Sequence, residues 1–84
     1  MAIAYEQARK EAETSIEEWS QIITEVVELD DSWIFLGGRN KRGEIVIGGV
    51  NVKVYKETGK LDNYPIPPME NLHNLKKGVV IFKL

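Results

Sequence analysis

SWIFLGGRNKRGEIVIGG, residues 32–49, sets two apolar runs, 33–36 and 45–47, on either side of a polar, glycine-rich segment, 37–43. Short runs of β-branched and aromatic residues bounded by such clusters read as strands joined by a hairpin loop. Gly37, Gly38 and Gly43 are expected to supply the positive φ that the loop needs. In an extended chain Trp33 and Phe35 point to one side, Ile34 and Leu36 to the other. A strand half open to water would alternate apolar with polar residues. This one is therefore expected at the centre of a sheet, covered on both faces.

Working outward, the 84 residues make one domain, 1–84, with no room for a second. A hydrophobic content of 43% and a charged content of 29% fit a folded chain and argue against disorder. The sequence has no cysteine, which excludes disulfides, thiolate nucleophiles and cysteine metal sites and suits a reducing compartment. Glu6 comes too early for a signal-peptide core, and no apolar run approaches the roughly 20 residues of a membrane span. The net charge of −2 hides an asymmetry: residues 1–31 hold nine acids and two bases, residues 32–84 nine bases and four acids. The acidic end either steers a basic partner or is a solvated helix beside a sheet with scattered lysines.

Residues 3–19 read as an amphipathic helix, because Tyr5, Ala8, Ala12, Ile16 and Trp19 recur at helical spacing. Trp19 is expected to anchor the helix over the sheet edge. Residues 22–29 fit a strand with imperfect alternation, explained by a bulge or by exposure of one end. Asp30-Asp31-Ser32 turns into the central strand, giving an antiparallel pair. After Gly48-Gly49 the alternation is clean: Val50, Val52 and Val54 inward, Asn51, Lys53 and Tyr55 outward. Gly59 is expected at positive φ in the following turn. Residues 61–64 form a short extended piece, 68–77 a short helix begun by Pro68 and stopped by Gly78, and 79–82 a last strand.

Catalytic chemistry finds little support. His73 is the single histidine, with no nucleophile or orienting partner near it in sequence. Glu17-Glu18 and Asp30-Asp31 are adjacent pairs, which point their side chains apart. Gly38 to Gly43 echoes a phosphate loop in its glycine spacing but lacks the Lys-Ser/Thr pair, and a strand is expected where a helix should follow. Three cations at a hairpin tip are too few for strong phosphate binding beside an acidic helix. What the residues do show is surplus apolar surface. Ile34, Leu36 and Val46 are expected on the sheet face away from the first helix. Either the 68–77 segment crosses that face or a partner covers it.

The order of elements, with Trp33 and Phe35 in one strand, Ile47-Gly48 after it, and Val54, Lys56, Thr58 and Gly59 ending another, resembles the immunity protein 35 family. The likeness covers roughly residues 4–75. That family has a Gly-Trp-x-Phe-like strand, an Ala-Gly-Asn-Gly-Pro step and a strand ending in Val-Asp-x-x-Thr-Gly. Ser32 here replaces the Gly, Gly49-Val50-Asn51 the Asn-Gly-Pro and Tyr55 the Asp. The peptidase-propeptide class also ends a strand in Asp-x-x-Thr-Gly.

The resulting expectation is a two-layer α+β domain: an N-terminal helix packed on an antiparallel sheet of four to five strands, with a short C-terminal helix before the last strand. The resemblance implies a non-enzymatic protein-binding module of the bacterial cytoplasm, an immunity-type inhibitor of a toxin or papain-like peptidase. No cofactor, metal, nucleic acid or membrane is expected. The rival readings are a peptidase-propeptide-like inhibitory domain, a structural homodimer built on Ile34, Leu36 and Val46, and a small enzyme or ligand-binding subunit around His73. Candidate partner contacts are Arg39, Asn40, Lys41 and Arg42 on the hairpin tip, with Asn51, Lys53 and Tyr55 on the clean strand.

Overall fold

Residues 33–36 do occupy the middle of a sheet. The computed structural model describes residues 2–84. Its elements run α1 (Tyr5–Glu17), β1 (Gln21–Ile22), β2 (Glu25–Glu28), β3 (Ser32–Leu36), β4 (Arg39–Asn40), β5 (Asn51–Tyr55), β6 (Leu61–Asn63), α2 (Met69–Lys76) and β7 (Val79–Lys83). Five strands form an antiparallel sheet in the order β6-β5-β3-β2-β7, and β1 pairs with β4 in a separate two-stranded ladder. Neighbours alternate in direction, so β6 and β7, at opposite edges, point the same way and α2 crosses between them. The chain is an α+β domain with α1 on one face of the sheet and α2 on the other.

The helix face holds the main core. Ala8, Ala12 and Ile16 of α1 pack with Ile23, Val26, Trp33, Phe35, Val52 and Val54. The two alanines bring the helix close to the sheet, and Tyr5 fills the space beside them: its ring lies edge-on to Trp33 at 5.6 Å and stacks near Phe35 at 6.1 Å. Each large apolar side chain buried here contributes roughly 1.5–3 kcal/mol. Lys56 reaches from the end of β5 to Glu28 on β2, Nζ to Oε2 2.7 Å, with the same Nζ 5.3 Å from the Trp33 ring centre.

On the opposite face Val27, Ile34 and Tyr64 are buried, with Leu29, Leu36 and Leu75 half-buried around them. Of the two coverings expected for this face, the segment containing α2 supplies one. Tyr64 folds over Ile34 and donates its hydroxyl to the Asn71 carbonyl at 2.6 Å, which ties β6 to α2. Val46 is not on this face.

Four local readings are corrected. The helix stops at Glu17, because Ser20 takes a φ of 59° and turns the chain away. Trp19, expected as an anchor, is instead 67% exposed. The single strand over 22–29 is two short strands broken at Ile23-Thr24, where Thr24 Oγ1 donates to the carbonyls of Leu36 and Gly37. The break resets the alternation, so Ile23 and Val26 share the helix face while Val27 and Leu29 lie opposite. Residues 45–47 are not a strand of the sheet: Ile45 makes one isolated bridge to Arg39. The partner of β3 is β5, in a register pairing Phe35 with Val52 and Leu36 with Asn51.

Candidate functional site

Between β3 and β5 the chain leaves the sheet from Gly37 and rejoins it at Val50, making a raised excursion that carries four of the seven contact candidates. Its neck is drawn together by one side chain. Gln21, 5% exposed, accepts the N–H groups of Gly38 (3.0 Å) and Val50 (2.9 Å) on Oε1 and donates Nε2 to the Gly48 carbonyl (3.4 Å). Gly37 sits directly above it. Its φ is not positive; glycine is required because a Cβ would come within 2.5 Å of the Val50 carbonyl and 2.8 Å of Gln21 Oε1. Positive φ occurs instead at Gly38 and Gly43, the other two loop glycines, and at Gly48.

The tip is internally bonded. Asn40 Oδ1 accepts the N–H groups of Arg42 (2.9 Å) and Glu44 (3.0 Å), and its amide donates to Glu44 Oε1 at 2.9 Å. Arg39 bends back to donate Nη1 to the Gly43 carbonyl at 2.6 Å. Arg39 and Asn40 therefore hold the turn in shape. Lys41 and Arg42 project from it freely, joined by Ile45, 78% exposed, and a fully exposed Ile47. Trp19 stands at the neck, lining a shallow groove of about 280 Å³ with Gly49, Val50, Asn51, Asn63 and Pro65. Hydrophobic periodicity did not single out Ile45, Ile47 or Trp19 as surface, because short apolar runs and helical stripes usually mark the interior.

The remaining candidates are elsewhere. Asn51, Lys53 and Tyr55 are half-buried on the α2 side of β5. Asn51 Oδ1 accepts the Gly37 N–H at 3.3 Å, a support role at the neck. Lys53 Nζ lies 4.8 Å from the Tyr55 ring centre and 6.0 Å from that of Tyr64, a cation held by two aromatic faces. Lys53 and Tyr64 border a polar hollow of about 420 Å³ together with Asp30, Asp31, Asn71, Asn74 and Lys77. Burial pushes the Tyr64 hydroxyl above its usual range. His73 is exposed on α2, outside this hollow. Among the described residues no three His, Asp or Glu side chains cluster as a metal site, and no helix is long and apolar enough to cross a membrane.

No family model matches the chain, and no curated protein or solved structure compared with it does so either. Of the residues that carry the expected family likeness, Trp33 and Phe35 lie in the core, Val54 beneath α1, Lys56 in its ion pair and Gly59 in a turn at φ 74°, whereas Ile47, Gly48 and Thr58 are exposed.

Proposed function

We propose that this domain is a non-enzymatic protein-binding module, an immunity-type inhibitor that holds a toxin or papain-like peptidase by surface contact. The observation that supports the reading most is the excursion between β3 and β5. Its neck and tip are fixed by hydrogen bonds from Gln21, Arg39 and Asn40, yet it displays two isoleucines and two cations to water. Folding gains nothing from exposing Ile45 and Ile47; a partner that buries them gains apolar contact at little cost in loop ordering. Lys41 and Arg42 steer an acidic partner surface, and Trp19 at the rim is the residue type most often found to dominate binding. Within the candidate set the working contacts are Lys41 and Arg42, supported by Ile45, Ile47 and Trp19. Arg39, Asn40 and Asn51 shape the backbone that presents them.

Co-expression with the product of the adjacent gene tests the proposal. Copurification and rescue of growth are expected with the native domain. Ile47→Asp and Arg42→Glu should abolish both without lowering the melting temperature, since neither side chain touches the core. Rescue that survives both substitutions would remove the excursion from the contact.

A further inference from the structure

β7 ends the sheet with its outer side unpaired. Folded proteins usually blunt such an edge with a short strand, a charge, a proline or a covering loop. The opposite edge is blunted: β6 spans three residues, Asp62 and Asn63 among them, and Pro65 follows. β7 is less protected: it spans five residues, of which Val79, Val80 and Ile81 are exposed, as is Leu84 just beyond, and its blunting is limited to Lys83 near one end and one irregular step. Between this edge and α1 lies a cleft of about 270 Å³, walled on its apolar side by Ile22, Ile23, Phe82 and Leu84 and bordered by Glu13 and Glu17. Arg9, the cation there, lies over the Phe82 ring at 4.3 Å and is paired with Glu13. Glu17 makes no ion pair among the described residues.

We infer that β7 accepts an extended segment of a partner protein as a sixth strand, with an apolar side chain of that segment in the cleft and basic residues flanking it. In strand addition, main-chain hydrogen bonds supply affinity and pockets for alternate side chains supply specificity. Both parts are present and adjacent: the open backbone of β7 and, on its α1 side, an apolar hollow next to the strand. Charge selects the flanks. Glu17 stands at the cleft, Glu25 and Glu28 lie on the neighbouring strand, and Asp30-Asp31 follow them. The opposing cations are Lys83, across from Glu25, Lys56, already bound to Glu28, and Lys53 and Lys77, which border one hollow with Glu28, Asp30 and Asp31, so the acid that selects a basic flank is Glu17 at the cleft. Lys41 and Arg42 share a separate gap with Glu17 and make no ion pair with it.

A second copy of the chain fits the edge less well. β7 is irregular where Val26 and Val27 meet Phe82 and Val80, so those two residues face opposite sides of the sheet although they are two apart. Symmetric pairing about Ile81 would set Phe82 against a residue pointing to the other face. A partner strand carries no such constraint. This surface meets the excursion only at Glu17, which borders both the cleft and the gap beside Lys41 and Arg42, and the inference stands whether or not the excursion holds a toxin.

The test titrates the isotopically labelled full chain with a capped octapeptide that alternates threonine with valine or leucine and carries lysine at both ends. The expected result is amide shifts confined to residues 79–84, 9–17 and 21–23, with binding about tenfold tighter than for the same peptide ended in glutamate. Alternate N-methylation of the peptide backbone should abolish binding, and Glu17→Lys should reverse the preference between the two peptides. Absence of binding, shifts mapping elsewhere, or equal binding of the N-methylated peptide would overturn the inference. So would sedimentation showing that the chain already occupies this edge with a second copy of itself.

Discussion

Phe35 is fully buried between α1 and the sheet, touching the alanine stripe on one side and the Tyr5 ring on another. Its truncation removes the largest fully buried side chain in the domain. Phe35→Ala is expected to cost about 3–5 kcal/mol, which lowers the melting temperature by at least about 10 °C in a chain of this size. Thermal unfolding followed by circular dichroism checks it. Gly59 tests the backbone in place of the core. At φ 74°, with a Cβ position 3.1 Å from Ile3 Cγ2, it admits a β-branched residue only with strain and displacement of Ile3. Gly59→Val should cost about 1–3 kcal/mol in urea unfolding, whereas Thr58→Val next to it should be close to neutral. Residues of these two kinds were legible in the sequence for physical reasons. Phe35 lies on a strand apolar on both faces, and Gly59 sits in a turn between two polar residues, so local pattern alone identifies both.

At the scale of elements, legibility depended on whether partners are near in sequence. α1 and β5 declare themselves through their own periodicity. The run 45–47 has strand composition too, but the ladder it would join is taken by β5, and flanking glycines at positive φ isolate it. Gln21 was invisible because its three backbone partners lie 17, 27 and 29 residues away. Gln21→Ala leaves the part-buried N–H groups of Gly38 and Val50 without their acceptor, a loss of about 1–3 kcal/mol. Its effect should be local: amide exchange should quicken across residues 38–50 while β2, β3 and β5 keep their protection. α2 is held mainly by Leu75 and the bond from Tyr64 to Asn71. The Tyr64 hydroxyl binds its proton more tightly folded than unfolded, because burial raises its pKa. Its contribution is thus complete below the unfolded tyrosine pKa near 10 and is lost as pH rises through the higher folded value. Stability measured between about pH 9 and 11.5 should fall, and Tyr64→Phe should flatten that part of the decline.

For the whole molecule, helix-face packing, a half-covered second face and a long polar excursion leave apolar and charged groups in water that folding does not need. Trp19, Ile45 and Ile47 are exposed, and β7 forms an open edge. The asymmetry of charge read from the sequence is preserved in space only in part. The acidic α1 and the β2–β3 turn lie in the first half, whereas the basic tip stands beside Glu17. A module of the kind proposed would bind its partner in fixed proportion and leave the complex chemically unchanged. Calorimetric titration of the domain with the adjacent gene product, followed by intact mass measurement of both chains, addresses this directly. The account predicts one-to-one binding in the submicromolar range, weakened at least about tenfold by Ile47→Asp, with both masses unchanged. No heat of binding, or a domain cleaved or modified after mixing, would contradict it.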